Sequence, residues 1–139
     1  MITRINHIGI AVNSIEEALK LYTDVLGLKL KDIEIVQEQK VKTAIIPVGK
    51  SKIELLESTH PDGAIAKHIE KRGEGLHHIA LEVSDIKGTL EMLKRKGVQL
   101  IDERPRKGVE DTSIAFLHPK GTKVLLEIVE TAKRHDTGR

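Results

Sequence analysis

The chain has 139 residues, 39% of them hydrophobic, which predicts one domain or two small halves that share a core. It has no cysteine and no Trp, one Phe and one Tyr, and its net charge of +2 is spread along the chain, which excludes disulfides and cysteine-based zinc sites and argues against a nucleic-acid partner. No apolar run approaches the roughly 18 residues of a membrane span and the N-terminus has no signal-peptide pattern, so we expect a cytoplasmic protein without membrane contact.

The first half of the chain has the pattern of a βαβββ unit. Residues 5–12 predict a strand, and Ser14 followed by Glu17 is a capping box that begins a helix. This helix has an apolar face and ends at Gly27. Three further strands are predicted at 28–36, 41–48 and 52–57, with turns near 37–39 and at 49–50.

The second half repeats this order. Residues 59–75 are polar and glycine-rich, and they form the predicted connector between modules of about 1–58 and 76–130. A strand at 76–83 precedes a helix with Ser84 as the predicted N-cap and Gly97 at its end. Further strands are predicted to begin at 98–101 and to cover 113–118 and 123–129, a basic loop covers 104–108, and 131–139 is a polar tail.

Two short stretches recur in both halves. Residues 6–12 resemble 77–83, which aligns His7 with His78 at an offset of 71. Residues 52–57 resemble the last strand, which aligns Glu54 with Glu127 at an offset of 73. Because alternate residues of a strand share a face, the two histidines and the two glutamates can meet across a pseudo-twofold axis. Two imidazoles and two carboxylates are a ligand set for a divalent cation.

Other ionisable residues fit simpler roles. Glu57 and Glu130 alternate away from these candidate ligands and are expected to be solvated. His77 precedes His78 on the opposite strand face, so packing or support of a ligand is expected rather than ligation. His118 is expected to hold a turn.

The duplicated unit, with histidine and glutamate at matched points, resembles the vicinal oxygen chelate superfamily. This superfamily includes glyoxalase I, extradiol dioxygenases, antibiotic-resistance proteins and methylmalonyl-CoA epimerases. The resemblance extends to about Glu130 and implies an α+β fold, in which two tandem βαβββ modules form a curved mixed sheet around a central metal cleft. The residues that carry it are 6–12, 52–56, 75–80, 115–120 and 124–127.

Within this superfamily the chain is most similar to the epimerases. That resemblance implies metal-dependent interconversion of (2R)- and (2S)-methylmalonyl-CoA by a homodimer. One divalent ion per subunit (Co, Mn, Ni, Zn or Mg) would be bound by His7, Glu54, His78 and Glu127. Glu38 sits where the epimerases place a catalytic carboxylate, and Glu127 is the second candidate acid or base. The basic residues expected near the cleft, as candidates to bind the phosphates of CoA, are Arg104, Arg106, Lys107 and Lys120.

Two alternatives to an epimerase remain open, a lactoylglutathione lyase and a ligand-binding protein, whereas an extradiol dioxygenase is disfavoured. A lactoylglutathione lyase of the glyoxalase I type uses the same four-ligand pattern. A ligand-binding protein without catalysis does not keep all four ligands, and extradiol dioxygenases typically use iron and longer chains. The loop at 108–111 and the turn at 119–123 differ from the usual epimerase pattern, and this difference concerns substrate recognition more than the metal site.

Overall fold

The computed structural model describes residues 1–122 and 124–132, so Lys123 and the tail from residue 133 onward lie outside the described part. The strands are β1 (Ile2–Ala11), β2 (Asp32–Val36), β3 (Val41–Val48), β4 (Ser51–Ser58), β5 (Gly75–Val83), β6 (Arg106–Lys107), β7 (Ser113–Leu117) and β8 (Leu125–Glu130). The helices are α1 (Ile15–Leu19), which continues as a π-helical segment (Lys20–Val25), α2 (Ala64–Arg72), α3 (Ile86–Arg95) and α4 (Pro119–Thr122). Short 3₁₀ turns cover Gln37–Gln39 and Val109–Asp111.

All eight strands form one mixed sheet in the order β2-β3-β4-β1-β5-β8-β7-β6. Within each module the first strand is parallel to the last, so β1 pairs with β4 and β5 pairs with β8. The two modules join where β1 and β5 run antiparallel at the centre of the sheet. This arrangement confirms the predicted α+β fold of two βαβββ modules.

Helices α1 and α3 each cover one face of their own module. In the first module Ile15 of α1 packs with Ala44 and Leu55, and in the second module Ile86 of α3 packs with Ile128. Each fully buried Ile or Leu contributes about 1.5–3 kcal/mol to folding. These cores leave the opposite face of the sheet for the polar residues of the cleft.

Both module helices begin at a carboxylate from the last strand of their own module. Glu57 accepts a hydrogen bond from the N–H of Ile15, and Glu130 accepts one from the N–H of Ile86, both at 2.8 Å. These side chains are therefore engaged with helix N-termini, and the expectation that they are solvated was wrong. The N-cap of α3 is Asp85 and not Ser84, because the Asp85 side chain accepts from the N–H of Gly88. Ser14 caps α1 as predicted.

The segment after α3 differs from the prediction. Residues 98–101 form no strand and make only an isolated bridge from Leu100 to Leu117. The chain then pairs with β7 through the two-residue strand β6. Pro105 lies between the bridge at Leu100 and β6, and it has no N–H to donate to a ladder. Residues 119–122 form the short α4 where a tight turn was predicted. None of the described helices combines the length and the apolar character that a membrane span requires.

Candidate active site

Three of the four predicted metal ligands meet at the junction of the two modules. His7 Nε2 lies 3.0 Å from His78 Nε2, and Glu127 Oε1 lies 3.1 Å from His78 Nε2 and 3.6 Å from His7 Nε2. All three side chains are buried. The two imidazole rings meet edge to face, with an interplanar angle of 87°.

The strand register explains this convergence. His7 of β1 is paired with Ala80 of β5, and Ala80 is paired with Glu127 of β8, so these residues form one row across three strands. The neighbouring row places Gly9 of β1 beside His78. A Cβ atom at Gly9 would lie 2.2 Å from His78 Cε1, so the absence of a side chain there provides the space for the imidazole ring.

Glu54, the fourth predicted ligand, lies beside this trio. Glu54 of β4 is paired with Gly9 of β1, on the opposite side of β1 from β5, and this pairing places Glu54 next to the imidazoles. Its Oε2 atom is 3.4 Å from His7 Nδ1, and this oxygen is buried without a hydrogen-bond partner. A buried carboxylate oxygen without a partner is costly, and a cation would remove that cost.

The surroundings of Glu127 and Glu54 shift the pKa values of these two carboxyl groups in opposite directions. Burial alone raises the pKa of Glu127, but hydrogen bonds from His7 and His78 and their charges outweigh it and lower the pKa to about 2. Burial also raises the pKa of Glu54, and there the neighbouring charge of Glu127 adds to the increase. Burial lowers the pKa of His7, but Glu127 and Glu54 together raise it above the ordinary value. Glu127 is therefore ionised at neutral pH, and the two glutamates favour the protonated form of His7.

The donor set fits a divalent metal ion. Metal bonds of about 2.1 Å at right angles place neighbouring ligand atoms about 3.0 Å apart. The three separations between His7, His78 and Glu127 are 3.0, 3.1 and 3.6 Å, close to that value. Neutral imidazoles and carboxylates also suit Co, Mn, Ni, Zn or Mg.

Two bulges bring a further residue of each central strand into the cleft. The pairing of β1 and β5 skips Asn6 between Ile5 and His7, and it skips His77 between Leu76 and His78. Both residues line the cleft. His77 is thus not on the opposite face, as strict alternation predicted, because the extra residue shifts the alternation by one position. Its Nδ1 atom lies 2.8 Å from His78 Nδ1.

The cleft above the trio has a volume of about 440 Å³. Glu38 lines it from the 3₁₀ turn between β2 and β3, and its side chain is exposed. Arg106 lines it from β6, where its guanidinium lies 5.5 Å above the Phe116 ring and its Nε is 3.4 Å from Asp102. The other three predicted basic residues, Arg104, Lys107 and Lys120, are exposed and are not among the described residues that line the cleft.

Sequence reasoning missed a lysine that reaches into this cleft. Lys52 is two residues before Glu54 on β4, and its side chain is only 16% exposed. Its ammonium lies 2.6 Å from Glu110, which also contacts Lys31 at 2.5 Å. Strand alternation from Glu54 places Lys52 on the cleft face, so the signal was present in the sequence. Glu110 and Asp111 have φ values of +55° and +57°, an unusual conformation for residues other than glycine.

Comparison with known proteins agrees with this geometry. Residues 6–116 match the family described as the Glyoxalase/Bleomycin resistance protein/Dioxygenase superfamily. The chain belongs to this superfamily. It is 44% identical to the Bacillus subtilis protein named Uncharacterized protein YqjC, over 91% of each chain. It is 34% identical to the Ethylmalonyl-CoA/methylmalonyl-CoA epimerase of Cereibacter sphaeroides, over 86% of this chain and 91% of that protein. A solved methylmalonyl-CoA epimerase in complex with methylmalonyl-CoA and NH4+ superposes with a TM-score of 0.91 at 36% identity, covering 95% of this chain and 96% of that one.

Proposed function

We propose that this chain is a metal-dependent epimerase that interconverts (2R)- and (2S)-methylmalonyl-CoA. The observation that carries the proposal is the convergence of His7, His78 and Glu127 at the floor of an open cleft. The similarity over almost the whole chain to an epimerase solved with this substrate supports the choice of reaction.

The metal would be bound by His7, His78 and Glu127, with Glu54 as the fourth ligand. When bound, the ion supplies a Lewis acid that stabilises the negative charge formed when the proton alpha to the thioester leaves. A six-coordinate ion with four protein ligands keeps two positions open for two substrate oxygens, which a closed tetrahedral site does not. One divalent ion per subunit satisfies the donor set.

Inversion at the alpha carbon requires a base on one face and an acid on the other. We assign these roles to Glu38 and Glu127, which line the cleft from different modules. Glu127 contacts both imidazoles, whereas Glu38 is exposed to the cleft and free of the metal trio. Glu38 is therefore the carboxylate whose removal should impair proton transfer without removing the metal.

Positive charge at the cleft suits the anionic groups of the substrate. Lys52 and Arg106, which line the cleft together with Lys40, are candidates to bind the substrate carboxylate and a phosphate of CoA. Arg104, Lys107 and Lys120 are exposed, and they remain candidates to bind the other phosphates of CoA.

The decisive experiment is hydrogen exchange at the alpha carbon. Methylmalonyl-CoA is incubated in deuterated water with the protein, with and without a chelator, and deuterium at C2 is measured by mass spectrometry. We expect uptake that the chelator abolishes and that added Co²⁺ restores. Absence of uptake by the metal-loaded protein, together with turnover of the hemithioacetal of methylglyoxal and glutathione, would identify a lyase instead.

The role of Glu38 has its own test. We expect Glu38→Gln to reduce turnover by about 10²–10⁴-fold, the usual contribution of a positioned acid or base, while bound metal stays at the wild-type level. Glu34→Gln, which removes a carboxylate three residues before the adjoining turn, is the control. Full activity of metal-loaded Glu38→Gln would remove Glu38 from the mechanism.

We also propose that the protein is a homodimer. Ile2, Ile5, Ile8 and Leu76 on the central strands β1 and β5 are 37–57% exposed, and exposed apolar groups on neighbouring strands mark an interaction surface. A second copy related by a twofold axis would cover this surface. Sedimentation should give twice the chain mass for the wild type and a shift toward monomer for Ile8→Asp. A wild-type protein that sediments as a monomer at micromolar concentration would refute the dimer.

A further inference from the structure

Each of the two candidate ligand histidines makes a polar contact with the residue that precedes it on its own strand. Asn6 Oδ1 lies 2.7 Å from His7 Nδ1, and His77 Nδ1 lies 2.8 Å from His78 Nδ1. Asn6 and His77 are separated by 71 residues, the same offset that relates His7 to His78. Both are the extra residues of the two bulges, so the repeat has preserved a bulge and a polar contact together.

The hydrogen bonds around Asn6 have only one possible direction. Asn6 Nδ2 lies 2.8 Å from Glu82 Oε1, which also accepts from Arg4 Nε at 3.1 Å. A carboxylate can only accept, so the amide must turn its NH2 group toward Glu82 and its oxygen toward His7. His7 must then carry a hydrogen on Nδ1, which donates to Asn6. Its Nε2 atom is left to bind a cation.

The contact between the neighbouring histidines follows the same logic. His78 Nε2 faces His7 and Glu127, so Nε2 is its metal-binding atom and Nδ1 must carry the hydrogen. That hydrogen is donated to Nδ1 of His77, which must be the acceptor. His77 is itself packed against the His68 ring, with centroids 4.8 Å apart and an interplanar angle of 76°.

We propose that Asn6 and His77 are positioning residues that fix the tautomer and the ring orientation of the two metal-binding histidines, and that Glu82 sets the direction of the Asn6 contact. This inference rests on the metal site proposed above. Neither residue belongs to the His7, His78 and Glu127 trio, and each would act through the histidine next to it. A metal-bound histidine is held by such a partner at its other ring nitrogen, and loss of the partner weakens metal affinity by about 10–100-fold.

The first test measures Co²⁺ binding to the chelator-treated protein by titration calorimetry. We expect Asn6→Leu and His77→Leu each to weaken binding by about 10–100-fold. Asn13→Leu and His60→Leu remove the same residue types from exposed positions outside the cleft, and they should bind like the wild type. Circular dichroism and a thermal melt of each metal-free variant establish that it is folded.

The repeat itself supplies a rescue variant. His77→Asn places in the second module the residue that the first module uses at the same point, so an amide oxygen replaces the imidazole nitrogen as acceptor. We expect His77→Asn to retain Co²⁺ affinity within about threefold of the wild type, whereas His77→Leu does not. Equal losses in both variants would show that His77 only fills space, and would overturn its assignment.

A change at Glu82 tests the direction of the contact without altering a fully buried residue. Glu82→Lys replaces an acceptor by a donor, so the Asn6 amide must turn over and the hydrogen of His7 must move to Nε2, the metal-binding atom. We expect a loss of Co²⁺ affinity of about tenfold or more, while Glu82→Gln, which keeps an acceptor oxygen, stays close to the wild type. Equal affinity in Glu82→Lys and Glu82→Gln would overturn the role of Glu82.

A spectroscopic readout separates this inference from the metal site on which it rests. In the Co²⁺-loaded wild type we expect two shifted, solvent-exchangeable proton signals, one from Nδ1–H of each histidine, and we expect Asn6→Leu to broaden one of them. A wild-type protein that binds no Co²⁺ would refute the metal site and the inference together. Wild-type binding with unchanged affinity and spectra in Asn6→Leu and His77→Leu would refute the inference alone.

Discussion

Gly9→Ala tests the geometry of the metal site without removing any ligand. The new Cβ atom would lie 2.2 Å from Cε1, 2.5 Å from Nδ1 and 2.8 Å from Nε2 of His78. To restore a contact of 3.4 Å, the imidazole ring must move by about 1.2 Å, whereas metal–ligand distances tolerate about 0.2 Å. We expect Co²⁺ affinity to fall by about 10–100-fold and turnover to fall by about 10²-fold, as a misplacement of about 1 Å implies.

The fold should survive this change. Overpacking costs about 1–3 kcal/mol, and the lower chain entropy of Ala in the unfolded state offsets about 0.4–1 kcal/mol of that. Calorimetric titration with Co²⁺ and denaturant unfolding of the metal-free protein separate the two effects. Ala80→Gly is the matched control, because Ala80 is the equivalent position of the second module and its substitution creates no clash. Wild-type Co²⁺ affinity in Gly9→Ala would refute the argument that Gly9 provides the space for the His78 ring.

Two further predictions concern pH. Burial raises the pKa of Glu110, but hydrogen bonds from Lys31 and Lys52 outweigh burial and hold the pKa below its ordinary value. The stability that these contacts provide is therefore present above the ordinary pKa of the carboxyl group. It is lost as the pH falls through the lowered pKa of the folded protein. Glu110→Gln should therefore lower the free energy of unfolding by about 1 kcal/mol at pH 7 and by nothing measurable near pH 2, as followed by urea titration; an equal loss at both pH values would contradict this. Burial lowers the pKa of His7 but the two glutamates raise it, so a proton competes with the metal, and Co²⁺ affinity should rise about tenfold per pH unit until the pH passes the pKa of His7. A Co²⁺ affinity that does not vary between pH 5 and pH 8 would contradict this competition.

The repeat made the architecture and the centre of the site predictable. Matching His7 with His78 and Glu54 with Glu127 requires only the sequence offsets and strand alternation. Once two βαβββ modules are joined by antiparallel first strands, these positions must face one another. The register of β1, β5 and β8 then brings His7, His78 and Glu127 together, as the alternation indicates.

The features that were missed depend on departures from regular pairing. A bulge adds one unpaired residue to one strand only. Nothing in the sequence of residues 76–78 indicates which of them is left without a partner on β1. The assignment of His77 to the opposite face failed for this reason. The helix caps from Glu57 and Glu130 were missed because they join elements 42 and 44 residues apart, beyond the range of a local capping pattern.

The repeat provides equivalent positions for Glu54 and Glu127, but their surroundings make the two carboxylates chemically different. Glu127 Oε1 lies on the Nε2 side of both histidines and is stabilised as a carboxylate, with a pKa lowered to about 2. Glu54 Oε2 lies on the Nδ1 side of His7, has no hydrogen-bond partner, and has a pKa that burial raises. Of these two carboxylates, Glu127 is therefore held in the ionised form that a cation needs, whereas burial disfavours the ionised form of Glu54. Because His7 and Glu54 come from one module and His78 and Glu127 from the other, a bound ion would also link the modules across the β1–β5 junction, so metal affinity and the stability of that junction are coupled.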